Sequence, residues 1–177
     1  MTQRILLFLF ASALSISAFS QDKKNNLKLN IFSPALKTLN LQFERKLKED
    51  QSFQFGAFYT GYSNSGTSLS GFGFTPEYRL YLTNVVLNGV YIAPFMRYQS
   101  YTLSDDQNDK GTLSTFGGGL ILGRQWLFKD KVTLDMFIGP SYNSGSVKVT
   151  SGVNNFDLTS SFDGFGVRAG VCFGFAF

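Results

Sequence analysis

The sequence contains no histidine and a single cysteine, Cys172. Histidine is the usual general base of hydrolytic triads and the commonest ligand of transition metals, so its absence disfavours both kinds of site. One cysteine cannot form an internal disulfide, and a catalytic thiol would need an activating neighbour. We therefore expect no catalytic residues, no metal site and no cofactor, and we expect that the protein is not an enzyme.

Past residue 20 the sequence also lacks an apolar run long enough for a membrane-spanning helix, which takes roughly 20 residues. The segment before it carries Arg4, an apolar stretch over 5–16, and a small-residue cleavage motif, AFS, before Gln21. These features predict a signal peptide over 1–20 and one mature domain over 21–177. The alternative for this segment is a membrane anchor, for which its apolar run is short.

Charge is sparse, at 16% of the residues, and basic residues outnumber acidic ones by 16 to 12. No basic run is longer than Lys23-Lys24. Nucleic-acid binding needs a clustered basic surface, and an exported protein does not meet nucleic acid inside the cell. The sequence therefore predicts no nucleic-acid partner.

Aromatic residues and glycine are abundant, with 20 Phe, 8 Tyr and 18 Gly. Apolar and polar residues alternate with a period of two, which predicts β-strands. Connections after the second, fourth and sixth strands are short, whereas polar connections over 63–69, 103–111 and 144–163 are longer. This pattern predicts an all-β, eight-stranded antiparallel up-and-down transmembrane barrel after a cleaved signal peptide. We place its strands at 26–32, 38–47, 52–62, 70–82, 89–101, 112–128, 132–143 and 164–177.

Each predicted strand has one apolar face and one polar or glycine-rich face. In a membrane barrel the apolar face meets lipid, whereas in a soluble barrel it points inward. Charges on the polar faces nearly balance, which favours a paired network inside a narrow lumen and so the membrane barrel. Lys28 is left over from this pairing. The predicted lumen network consists of Glu44, Glu77, Arg79, Arg97, Asp135 and Arg168.

Three prolines, Pro76, Pro94 and Pro140, fall inside predicted strands. Proline cannot donate to a strand ladder, and a closed barrel has no edge where it could be placed without loss. We expect bulges at these positions. Pro76 and Pro94 lie at similar distances from the turn between their strands, so we expect them to share one local irregularity.

Four segments carry a family resemblance: TPEYRLY (75–81), YIAPFMRY (91–98), GGGLILGRQW (117–126) and FIGPSY (137–142). The chain resembles the small eight-stranded outer-membrane β-barrels of Gram-negative envelopes, such as OmpX and the transmembrane domain of OmpA. It resembles more closely an outer-membrane β-barrel family of unknown function. The resemblance implies a location in outer-membrane lipid. Because the strand count is even, both termini fall on the side of the short turns, which we expect to be periplasmic. It also implies that the assembly machinery reads the alternating C-terminal strand, with Phe173, Phe175 and Phe177 as the signal.

The leading hypothesis is an integral outer-membrane barrel with a structural or surface-interaction role, with the 144–163 segment as the recognition surface. One alternative is a soluble exported barrel, similar to lipocalins, that binds an apolar ligand. The other is a narrow outer-membrane pore, which an eight-stranded interior filled by side chains disfavours. The sequence names no ligand and no extracellular partner.

Overall fold

The computed structural model describes residues 23–64, 67–83, 85–105, 110–150 and 157–177. The predicted signal peptide lies outside these residues. Within them, no helix is long and apolar enough to cross a membrane.

Eight antiparallel strands form one closed barrel in which each strand pairs with its neighbours in sequence. Pairing between the first and last strands, from Asn26↔Ala176 to Asn30↔Cys172, closes it. The predicted all-β fold class is therefore confirmed. The strands are β1 Asn25–Asn30, β2 Thr38–Lys46, β3 Gln51–Asn64, β4 Thr67–Tyr81, β5 Gly89–Asp105, β6 Lys110–Phe128, β7 Val132–Thr150 and β8 Asp157–Ala176, with a 3-10 helix Ser33–Leu36 between β1 and β2.

The connections at one end of the barrel are as short as predicted. Between β6 and β7 the chain turns at Lys129 and Asp130, whose φ angles of 50° and 54° are those of a tight hairpin. At the other end, the prediction of long loops was wrong, because the strands continue into these segments. β7 and β8 stay paired from Ser144↔Asp163 to Thr150↔Asp157. Serine, glycine and asparagine in this stretch read as loop signals, but Val147 and Val149 keep the strand alternation.

Side chains alternate along the barrel wall as predicted, with the apolar set pointing outward. On β1, Leu27 is 48% exposed whereas its neighbour Lys28 is 1% exposed. On β7, Met136 is 46% exposed and Asp135 is fully buried. The polar set therefore fills the lumen, and the apolar set forms the outer surface.

The strand prolines interrupt the ladder without shifting it. Between β4 and β5, paired residues run up to Phe74↔Tyr98 and resume at Glu77↔Phe95, three positions further on both strands. The unpaired positions lie beside Pro76 and Pro94, so these two prolines share one irregular seam, as predicted. Because the register is kept on both sides, the prediction of bulges there was wrong.

Pro140 interrupts the β6–β7 ladder in the same way. Pairing runs up to Gly119↔Ser141 and resumes at Leu122↔Ile138, again three positions along both strands. No extra residue is inserted, so the predicted bulge at Pro140 was also wrong. A strand can lose the hydrogen bond of one proline and still keep its register when the pairing on either side is long, which the sequence alone did not show.

Candidate functional site in the barrel lumen

An ion-pair network fills the lumen near the end with the short turns. Lys28 Nζ lies 2.7 Å from Glu44 Oε2 and 2.9 Å from Asp135 Oδ2. Arg79 Nη1 lies 2.8 Å from the same Asp135 oxygen, and Arg79 Nη2 lies 3.1 Å from Glu77 Oε2. All five side chains are fully buried. They come from β1, β2, β4 and β7, which shows that the network ties together strands on opposite sides of the barrel.

Neutral side chains satisfy the remaining oxygens of the carboxylates. Ser52 Oγ and the Tyr81 hydroxyl donate to Glu44 Oε1 at 2.6 and 2.7 Å. The Tyr91 hydroxyl donates to Asp135 Oδ1 at 2.7 Å. Buried ion pairs are tolerated when such additional hydrogen bonds complete the shell of each charge. The arrangement is therefore a closed polar core rather than a set of isolated charges.

A layer of aromatic rings separates this network from the rest of the lumen. The Arg168 guanidinium lies between the rings of Phe95 and Phe137, at 4.6 and 4.7 Å from their centroids. Its Nη2 donates to Glu77 Oε1, which joins Arg168 to the ion-pair network. Its Nε and Nη1 atoms are buried and have no hydrogen-bond partner in the protein.

Arg97 lies apart from the other predicted network residues. Its Nε donates to Thr75 Oγ1 at 3.1 Å, and its guanidinium lies 5.8 Å from the Phe58 ring centroid. No described carboxylate forms an ion pair with it. The structure thus connects five of the six predicted residues and leaves Arg97 outside the connected set.

Sequence reasoning missed several members of the network. It left Lys28 unpaired, yet this residue bridges Glu44 and Asp135 at the centre. It also overlooked Tyr81 and Tyr91, which point inward and hydrogen-bond to the carboxylates. Both tyrosines have the same strand parity as the inward-facing residues beside them, and this signal could have identified them.

The network holds opposite charges next to one another in a buried site. Its lysine and arginines neutralise each carboxylate, and the thiol of Cys172 is completely buried. Among the described residues, no group of three or more histidine, cysteine or acidic side chains could hold a metal ion. At this level the lumen is packed with protein atoms.

The predicted assembly-signal residues lie on the outer surface at the C-terminal end of the barrel, with Phe173 and Phe175 on β8 and Phe177 directly after it. Phe173 and Phe175 are each 47% exposed and pair with Leu29 and Leu27 of β1. Phe177 is 38% exposed, and its backbone exchanges hydrogen bonds of 2.9 and 3.0 Å with Asn25. The three rings therefore extend the apolar outer surface across the seam that closes the barrel.

A family model described as "Protein of unknown function (DUF3575)" matches residues 5–149. The matched range includes Lys28, Glu44, Arg79 and Asp135 of the ion-pair network, and it ends before Arg168. No curated protein matches the chain in sequence.

Proposed function

We propose that this chain, which belongs to the DUF3575 family of proteins of unknown function, is an integral outer-membrane β-barrel with a structural or surface-interaction role. We further propose that it has no catalytic activity, since the sequence contains no histidine to act as a general base. Its direct partners would be outer-membrane lipid and, during biogenesis, the assembly machinery.

The observation that carries the proposal is the apolar belt around the outside of the barrel. Outward side chains are apolar over 90–98 on β5 and over 134–142 on β7, which is nine residues on each strand. A tilted membrane-spanning strand needs about 9–11 residues. Large side chains in this belt are well exposed, for example Met96 at 56% and Ile138 at 59%. An apolar belt of this size favours a lipid environment, because soluble monomers rarely expose such large apolar patches.

The belt ends at a row of serines across four neighbouring strands. Ser100 pairs with Ser114, Ser114 with Ser146, and Ser146 with Ser161. The hydroxyls of the first pair lie 3.3 Å apart. Outward side chains change from apolar to polar at the row on β5 and β6, and one outward position before it, at Ser144 and Asp163, on β7 and β8. Such a change is expected where a barrel leaves the bilayer.

Beyond the serine row the two faces of the wall exchange their polarity. Thr112 and Lys148 now lie on the outer face, whereas Leu113 and Val147 lie on the face continuous with the lumen. The apolar exterior on one side of the row favours contact with lipid. The polar exterior on the other side favours contact with water. We infer that the strand extensions beyond the row stand in the external medium and form the interaction surface.

The filled lumen favours the structural role over a pore. Lys28, Arg79 and their carboxylate partners occupy its cross-section, and their side chains have no solvent exposure. The polar interior also disfavours the soluble lipocalin-like alternative, because that alternative needs an apolar cavity. Both Asn25 and Phe177 lie at the end with the short turns. In our proposal this end faces the periplasm.

Two substitutions on the same face of β7 test the membrane proposal. Ile138→Arg places a charge in the middle of the apolar belt and should lower folding stability in lipid vesicles by about 2–4 kcal/mol. Ser146→Arg, the matched control in the serine row at the edge of the belt, should cost at most about 1 kcal/mol. The folded fraction is read from the faster gel migration of unboiled protein. Equal effects of the two substitutions, together with recovery of the protein from periplasmic extract without detergent, would refute the proposal.

A further inference from the structure

Among the side chains that the structure describes, the lumen holds one more positive charge than negative charge. Its network pairs three cations with three carboxylates, and Arg97 is a fourth cation without a described carboxylate partner. We call the part of the lumen on the Arg97 side of the Phe95–Arg168–Phe137 layer the outer lumen. None of its described inward-facing side chains is a carboxylate. They include Gln42, Thr75, Gln99, Tyr101, Thr115, Ser141 and Asn143.

The guanidinium groups of Arg97 and Arg168 approach the same stretch of β4. Arg97 bonds to Thr75, and Arg168 bonds to Glu77, the next inward-facing residue on that strand. Inward positions two residues apart on a strand are separated by roughly 7 Å. The two β4 side chains that bond to these guanidinium groups are therefore neighbours on one face, and the two like charges repel each other. An anion between them would relieve their mutual repulsion.

Hydrogen-bond donors at this place lack protein acceptors. Arg168 is only 8% exposed, and its Nε and Nη1 atoms have no partner. Thr115 is 5% exposed, and its Oγ1 atom is also without one. Because Arg97 pairs with Gly117, Thr115 is its diagonal neighbour across the strands. Leaving buried donors unpaired is unfavourable, above all on a charged group.

Glycine leaves room beside these donors. A methyl group added at Gly166 would meet only Ser141 Oγ, at 3.3 Å, and Asn143 Nδ2, at 3.8 Å. Both of these neighbours are polar atoms at the ends of side chains. The wall of the outer lumen is therefore polar and open at this point rather than filled by an apolar side chain.

We propose that the outer lumen binds one small oxyanion, a phosphate or carboxylate group, between Arg97 and Arg168. The planar fork of arginine suits such groups, and a hydrogen bond to an ionised partner is about twice as strong as a neutral one. The Thr115 hydroxyl supplies a further donor. The oxyanion would balance the fourth cation of the lumen. It can come from the external medium or from the headgroup of a lipid.

Titration calorimetry of the refolded chain in octyl glucoside tests the site, with inorganic phosphate as the probe and chloride keeping the ionic strength constant. Arg97→Gln should weaken phosphate binding about tenfold or more, as expected for loss of a charge-assisted contact. Arg124→Gln is the matched control, because Arg124 lies on the outer face with its guanidinium 5.2 Å from the Trp126 ring. This control should keep the affinity of the unsubstituted chain.

A second variant covers the case in which Arg97→Gln does not fold. Thr115→Val removes a hydroxyl and no charge, and it should weaken phosphate binding severalfold while the gel migration of unboiled protein stays that of the folded chain. The absence of saturable phosphate binding by the unsubstituted chain would overturn the proposal. Equal affinities of folded Arg97→Gln and Arg124→Gln, or of folded Thr115→Val and the unsubstituted chain, would also overturn it.

The same measurement separates the two sources of the oxyanion. Dihexanoyl phosphatidic acid, added to the micelles, presents the phosphate on a lipid. Binding at least tenfold tighter than that of inorganic phosphate, and weakened by Arg97→Gln, assigns the site to a headgroup. Equal or weaker binding of the lipid assigns it to a free oxyanion, and either result supports the site itself.

Discussion

Asp135 is the most informative position for testing whether the ion-pair network stabilises the barrel. Its carboxylate accepts hydrogen bonds from Lys28 at 2.9 Å, from Arg79 at 2.8 Å and from Tyr91 at 2.7 Å. Asp135→Asn keeps the size of the side chain and removes its charge. Lys28 and Arg79 then share only Glu44 and Glu77 as negative partners in a buried site.

The expected loss of stability follows from this environment. Removing one partner of a buried ion pair costs about 3–5 kcal/mol, because the remaining charge stays buried without compensation. Loss of three separate hydrogen bonds to a charged group could sum to a larger free-energy cost, but the asparagine oxygen still accepts some of these hydrogen bonds. We therefore expect a loss of about 4 kcal/mol in the free energy of unfolding. With a slope of about 2 kcal/mol per molar urea, the unfolding midpoint should fall by roughly 2 M.

The assay is urea unfolding of the refolded chain in vesicles or micelles, followed by the fluorescence of Trp126, the only tryptophan. Asp163→Asn is the matched control, since Asp163 is exposed on the outer face of β8. It should change stability by less than about 0.5 kcal/mol. If Asp135→Asn and Asp163→Asn shift the midpoint equally, the lumen network does not stabilise the fold and the reasoning is wrong.

Two further predictions concern the wall of the barrel and its orientation. Gly119→Ala should lower stability by about 1–3 kcal/mol in the same urea assay, because the added methyl group would overlap the backbone carbonyl oxygen of Pro140. Gly166→Ala is its control and should be close to neutral, and equal losses would contradict this account of Gly119. For orientation, a membrane-impermeant maleimide should label Ser146→Cys but not Lys48→Cys in whole cells, since native Cys172 is buried and contributes no background. The reverse labelling pattern would contradict the proposal that the short turns face the periplasm.

The sequence predicted the architecture well because strand alternation is a local signal. Eight period-two segments and a short turn such as Lys129–Lys131 sufficed for the strand count and the antiparallel order. The outward face was inferred from the near balance of charges on the polar faces. Strand ends were harder to predict. Ser144 to Val149 has loop-like composition, and only pairing with β8 across the whole hairpin makes it a strand.

The lumen could be predicted only in part, because contacts across a barrel depend on register and tilt. The alternation of side chains along each strand placed Glu44, Arg79 and Asp135 on the inward face, but it did not show which charges form ion pairs. The prediction from sequence assigned no ion-pair partner to Lys28, although this residue bridges two strands that are far apart in the chain. The separation of Arg97 from the network likewise depends on its height along β5, which only the three-dimensional structure shows.

The position of Lys28 has a consequence for the order in which the barrel forms. Glu44 on β2 and Asp135 on β7 both bond to this single ammonium group from β1. Before β1 and β8 meet, Lys28 cannot bond to both carboxylates, so the final pairing step also completes the ion pairs of Glu44 and Asp135. We expect that in Lys28→Met the earlier hairpins form normally. Closure of the nascent sheet should be slower, and the finished barrel should open faster.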